Sequence, residues 1–142
     1  MTQNCDRSFD LEMTVPFYDV DSLQVVWHGH YLKYMDDARS ALFDSLGADL
    51  PGYYEKTGYI FPVTKTSVKH IHPLRYKDRV ICRAKLVEAR FKIVVDFEIR
   101  LREGAKICAR GRTEQVAVKA PEMEMQLKVP DEIRDILEGR GV

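Results

Sequence analysis

Residues 17–46 read F-Y-D-V-D-S-L-Q-V-V-W-H-G-H-Y-L-K-Y-M-D-D-A-R-S-A-L-F-D-S-L, and this stretch decides the fold. Its second half has a helical period. Tyr31, Tyr34, Met35, Ala38, Ala41, Leu42, Ser45 and Leu46 recur at steps of three and four and fall on one stripe. Gly47 follows the last periodic residue, where a left-handed cap is expected. The first half is a loop with two carboxylates, Asp19 and Asp21, and His28 further along. A carboxylate and an imidazole thus stand at the mouth of a helix, where unsatisfied N–H groups and the helix dipole favour negative charge. Such a place suits a developing oxyanion.

The flanking sequence supplies a sheet. From Asp10 to Tyr18, Leu11, Met13, Val15 and Phe17 alternate with Glu12, Thr14 and Pro16, which predicts a strand with one buried face. Pro16 lacks a ladder donor and fits an edge or the strand's end. Leu50 to Tyr59 holds Pro51, Gly52 and Gly58 and is expected to be an irregular connection with room for a short helical turn. Phe61 to His72 is rich in β-branched residues and predicts a strand, followed by a turn at P-L-R-Y-K-D. Val80, Cys82, Ala84 and Leu86 alternate with Arg83 and Lys85, and a short bend follows at Ala89-Arg90-Phe91. Ile93, Val95, Phe97, Ile99 and Leu101 alternate with Asp96, Glu98 and Arg100, the clearest strand in the chain. Glu103-Gly104 marks a hairpin turn. Ala105 to Lys119 reads as a strand with Ile107, Ala109, Gly111 and Thr113 on one face, mostly small, as needed where a helix comes close. Asp131 is expected to cap a short last helix, with Pro130 before it and Ile133, Ile136 and Leu137 as its stripe.

One long amphipathic helix among about five antiparallel strands predicts an α+β layer, a curved sheet wrapped around one central helix, in a single domain over 1–142. One sheet over one helix leaves an edge and apolar surface uncovered. A homodimer that pairs edge strands would remove both.

Composition narrows the function classes. At 142 residues and 45% hydrophobic, the chain can bury a core without disulfides or metal and does not read as disordered. Lys plus Arg is 22 and Asp plus Glu is 22, so no global charge recruits nucleic acid or an acidic membrane. No apolar run approaches the roughly 20 residues of a membrane span, and M-T-Q-N-C-D-R-S-F-D lacks the core of a signal peptide. Cys5, Cys82 and Cys108 are odd in number and have no C-x-x-C spacing, against a disulfide framework or a structural zinc site. Cys82 and Cys108 lie in strand-like runs and read as small buried hydrophobes. The pairs His28-Gly-His30 and His70-Ile-His72 lack a suitably spaced carboxylate, so no metal is expected. The expected setting is reducing and cytoplasmic.

The segment D-V-D-S-L-Q-V-V-W-H-G-H-Y, followed by Y-M-D-D-A-R, resembles the signature of the hotdog-fold acyl-CoA thioesterases. Within them it is most similar to the 4-hydroxybenzoyl-CoA thioesterase type, which includes the Tol–Pal-associated acyl-CoA thioesterases. F-P-V, P-L-R-Y-K-D-R-V and V-P-D-E-I fit too, so the likeness runs from Asp10 to Pro130. It implies hydrolysis of acyl-CoA to free acid and CoA without a cofactor, in a homodimer or homotetramer. It also implies roles. Asp21 matches the catalytic carboxylate. His28 matches the helix-start position whose backbone N–H faces the thioester carbonyl. Tyr31 matches a tyrosine of the motif and is expected to pack. Arg90 and Lys92, at the bend after the third strand, match the region that meets CoA, with Lys69 and Arg75 as further candidates. Gln24 departs from the family's usual glycine, which lets the loop approach the substrate, and leaves acyl specificity open.

The chemistry agrees with these roles. A thioester is already activated, so an enzyme needs to polarise the carbonyl, supply a nucleophile and keep the acyl pocket dry. Helix N–H groups around His28 supply the first, a device typically worth about 10²–10³ in rate. Asp21 supplies the second, as general base for water or as a nucleophile giving an anhydride. His28 orients water or protonates the leaving thiolate. The apolar stripe with Tyr34, together with residues of a partner subunit, lines the pocket. Blander readings stand beside these. An Asp before a helix is commonly a cap or turn former, Asp19 reads as support for the loop, and Asp36 can pair with Arg39 one turn on. Arg90 and Lys92 also fit a charged hairpin tip. Two other functions are compatible with the same residues: a hotdog enzyme whose acyl group arrives on an acyl carrier protein, and a non-catalytic acyl-binding or scaffold protein.

Overall fold

The computed structural model describes residues 7–139; Cys5 lies outside them. Strand β1 (Ser8–Thr14) leads through one 3-10 turn (Phe17–Asp19) to helix α1 (His30–Leu46) and helix α2 (Leu50–Thr57). Strands β2 (Tyr59–Ile60), β3 (Val63–His70), β4 (Arg79–Glu88), β5 (Ile93–Leu101), β6 (Ile107–Gln115), β7 (Val118–Lys119) and β8 (Glu124–Met125) follow, then helix α3 (Asp131–Glu138). The main sheet is antiparallel in the order β1-β4-β5-β6-β3, and β2-β7-β8 form a small second sheet. This is the five-stranded sheet on one central helix that the alternation predicts.

The core lies between α1 and the sheet. Tyr34, Met35, Ala38 and Leu42 are buried on the helix stripe, and Val80, Cys82, Ala84, Ile93, Val95, Phe97 and Ile99 are buried on the strands in the same cluster. Gly111 explains the small residues of β6: a Cβ there would stand 2.7 Å from the Met35 Cε, so the helix packs where no side chain fits. Cys82 and Cys108 are free thiols buried in this core, and burial pushes the Cys82 thiol up to about 12. Gly47 ends α1 with φ 82°, the left-handed cap expected.

Four local expectations are corrected. The first strand stops at Thr14, because the chain turns after Pro16: the amides of Asp19 and Val20 donate back to the carbonyls of Pro16 and Phe17. Phe17 is therefore 70% exposed instead of facing the core. Ser45 is exposed, and Phe43, off the stripe, is buried with Ala48 at the helix end. Residues 50–57 form a two-turn helix, since the Asp49 carboxylate accepts the Gly52 N–H at 3.1 Å and Pro51 sits in the first turn, where its missing donor costs nothing. Asp131 is the first residue of α3 and makes no cap; its carboxylate lies 3.4 Å from Arg134 Nη1, and Pro130 holds the cap position.

The outer face of the sheet is charged. One register row runs Asp10, Arg83, Glu98, Arg110, Lys69 across all five strands. A hollow of ≈ 600 Å³ on this face is lined by Lys69, Arg83, Lys85, Arg110 and Arg112 together with Asp96 and Glu98.

Candidate active site

The loop between β1 and α1 folds on itself before the helix begins. Asp21 donates its N–H to Val25 O at 2.9 Å, Gln24 donates to Asp21 O at 2.9 Å, and Val20 bridges Val26. The result is a small hairpin with Asp21 to Gln24 at its tip. Gln24 takes φ 69°, left-handed backbone that glycine adopts freely and that costs another residue about 1 kcal/mol. The departure from glycine noted above is thus a matter of backbone conformation as well as of room. The Asp21 Oδ1 accepts the Leu23 N–H at 2.8 Å, so one carboxylate oxygen shapes the turn.

The entrance to α1 leaves donors unused. His30 N–H bonds Trp27 O at 2.9 Å and Tyr31 N–H bonds His28 O at 3.3 Å, which closes a turn ahead of the helix. Among the described residues, the amides of His28 and Gly29 have no acceptor. Gly29 is glycine because a Cβ there would collide with the Trp27 ring. A cavity of ≈ 250 Å³ opens beside this turn, lined by Val26, His28, Tyr31, His70, Ile71, His72 and Pro73. The Tyr31 and His70 rings meet edge-on at 4.6 Å, and His28 stands 6.4 Å from His70. The exposed His28 imidazole therefore lines a partly apolar cavity, and the amides without acceptors belong to His28 and the residue after it.

Asp19 is buried below the loop. Its carboxylate accepts the Tyr34 hydroxyl at 2.6 Å and Lys33 Nζ at 2.8 Å, with His30 Nε2 3.7 Å away. Burial opposes its ionisation, but the bonds from Lys33 and Tyr34 outweigh that and hold it below the usual carboxylate range. Burial, then the bond to Asp19, pushes the Tyr34 hydroxyl above the ordinary phenol range.

The sequence candidates part company here. His28 lines the cavity, and Asp21 is carried on the hairpin joined to it. Tyr31 is buried, as expected of a packing residue. Tyr34 does not line that cavity; it is 1% exposed and its hydroxyl is committed to Asp19. Lys69 lines the outer hollow, on the sheet face away from α1. Lys92 is paired with Glu114 at 3.0 Å, and Arg90 is exposed with its guanidinium 5.5 Å from the Phe91 ring. Glu88 shapes that bend by accepting the amides of Phe91 and Lys92. Arg75 stands exposed in the turn after the cavity wall. Sequence reasoning missed His70 and His72 as cavity walls, although their H-x-H spacing before Pro73 was visible. Among the described residues no group of His, Cys, Asp or Glu is placed to hold a metal ion.

Residues 23–108, more than half of the chain, match the thioesterase superfamily. The chain belongs to this superfamily. The match begins at Leu23, so it takes in His28 and starts just after Asp21. Among its relatives, this thioesterase is 26% identical over 125 residues to a 1,4-dihydroxy-2-naphthoyl-CoA hydrolase of Thermosynechococcus vestitus, covering 86% of this chain and 83% of that protein. In structure it resembles the 1,4-dihydroxy-2-naphthoyl-CoA thioesterase from Synechocystis, with TM-score 0.81 at 22% identity, over 92% of this chain and 95% of the other. It also resembles a 4-hydroxybenzoyl-CoA thioesterase variant solved with 4-hydroxybenzoyl-CoA, with TM-score 0.82 at 16% identity, over 92% and 99%. These likenesses carry the fold, and the thioesterase has the hotdog architecture.

Proposed function

We propose that this thioesterase hydrolyses acyl-CoA to free acid and CoA at the hairpin and helix entrance. The observation that carries the reading is that His28, which lines the cavity, and Gly29 beside it in the chain both have amides without an acceptor among the described residues. The thioester carbonyl oxygen is received by these amides, which strengthen as it gains charge. Asp21 takes a proton from water as the water oxygen bonds the carbonyl carbon, or attacks that carbon itself to give an anhydride that water then opens. The C–S bond breaks, and His28 protonates the departing thiolate. Arg90, with Lys92 beside it, meets the CoA moiety. The naphthoyl-CoA and benzoyl-CoA substrates named for its relatives support a CoA ester, and ≈ 250 Å³ favours a compact acyl group. The working form is a homodimer or homotetramer in the cytoplasm, joined through β3, whose outer edge no strand among the described residues pairs.

A thiol-release assay over acetyl-, hexanoyl-, palmitoyl- and benzoyl-CoA tests the reading. Turnover of at least one ester, with compact esters ahead of palmitoyl, is expected. Tight binding of every ester with no thiol released would replace hydrolysis by acyl binding. A second reading, acyl groups delivered on an acyl carrier protein, is favoured by the cation-rich hollow on the outer sheet face, which suits an acidic partner. Faster release from the carrier than from CoA would select it.

A further inference from the structure

Asp19 is the only buried carboxylate among the described residues, and the hydrolytic steps above leave it unused. It holds three things at once. Its side chain accepts Tyr34 Oη at 2.6 Å and Lys33 Nζ at 2.8 Å, both from the first turns of α1. Its backbone carbonyl accepts the Trp27 N–H at 3.1 Å. Between Asp19 and Trp27 lies the hairpin that carries Asp21; directly after Trp27 come the amides of His28 and Gly29. One residue therefore ties both halves of the site to the same helix. Charge-assisted bonds of this length are short and directional, so they fix geometry better than apolar packing does. Loop tip residues such as Leu23 are exposed and add little restraint of their own.

We propose that Asp19 is a positioning residue for thioester hydrolysis: its carboxylate, clamped by Tyr34 and Lys33, sets the loop so that Asp21 and the His28 and Gly29 amides face one reacting carbonyl. This rests on the reading of the site given above. Loss of the clamp lets the hairpin shift by fractions of an ångström, enough to cost turnover without weakening the hold on CoA.

The test uses the full chain, the best-turned-over ester of the four named above, and the variants Asp19→Asn and Tyr34→Phe, with Asp21→Asn in parallel. Asp19→Asn is expected to lower kcat about 10²-fold and Tyr34→Phe about tenfold, with KM held within about threefold. Trp27 is the only tryptophan and sits on the tethered loop, so acrylamide quenching of its fluorescence is expected to rise in both variants. Wild-type kcat in both, or a change in KM alone, overturns the proposal. A fall in kcat with Trp27 quenching unchanged also overturns it, since Asp19 would then act on the reaction directly. If Asp19→Asn does not fold, Tyr34→Phe decides by the same criteria. An inactive Asp21→Asn beside fully active Asp19 and Tyr34 variants defeats the positioning role alone. A fully active Asp21→Asn, or a wild type that turns over none of the esters, defeats the underlying reading and takes the positioning role with it.

Discussion

In the proposed reaction Asp21 divides its carboxylate between structure and chemistry: Oδ1 accepts the Leu23 N–H, and the other oxygen is left for the attack. In the same proposal His28 offers an imidazole and an amide, and alanine removes only the imidazole. His28→Ala is therefore expected to lower kcat by about tenfold, well short of the loss on removing an oxyanion donor, in a thiol-release assay. Gln24 is strained at φ 69°, so Gln24→Gly is expected to leave stability unchanged or raise it by up to about 1 kcal/mol, read from urea unfolding. Asp19 gives the residue scale its pH dependence. Its carboxyl lies lower in the folded chain than in the unfolded one, so its contribution is present above the unfolded value of about 3.9 and is lost as pH falls through the folded value. Wild type should lose urea resistance as pH falls below about 4, more steeply than Asp19→Asn; parallel slopes would remove Asp19 from the acid response.

At the scale of elements, Gly111 marks where α1 meets the sheet. Gly111→Val places side-chain atoms against Met35 and the Ser67 carbonyl and is expected to cost about 1–3 kcal/mol of stability, checked by thermal melting. The period of residues and their alternation made α1, β4 and β5 legible, because their buried faces are continuous and their charged faces equally so. The end of β1 was less legible: alternation ran on through Phe17, while the real boundary was set by a backbone turn after Pro16. Helix α2 hid behind Pro51 and Gly52, which look like breakers until Asp49 is seen to cap them. The cap of α3 was placed one residue late for a similar reason, since Pro130 holds the position an Asp side chain would fill.

For the whole molecule, the site is assembled by register. Lys69 and His70 are neighbours in β3, yet Lys69 lines the outer hollow and His70 the cavity beside His28. The imperfect alternation of β3 concealed which of the two faces inward, so the cation was singled out and the imidazole missed. Tyr34 shows the opposite case: the stripe correctly buried it, and only the fold revealed Asp19 as its partner. Arg90→Ala with Lys92→Ala is expected to raise KM for CoA esters about tenfold and leave short non-CoA thioesters unaffected, with most of the effect from Arg90 because Lys92 is held by Glu114. Sedimentation is expected to give at least twice the chain mass, since β3 ends the sheet with an edge that no strand among the described residues pairs. The central claim, that a carboxylate on the hairpin drives attack on a carbonyl held at the entrance of α1, is tested most directly by single-turnover thiol release from Asp21→Asn. Asparagine keeps the acceptor for Leu23 and hence the turn, so a folded protein that binds acyl-CoA and releases almost no thiol is predicted; release at the wild-type rate would contradict the account.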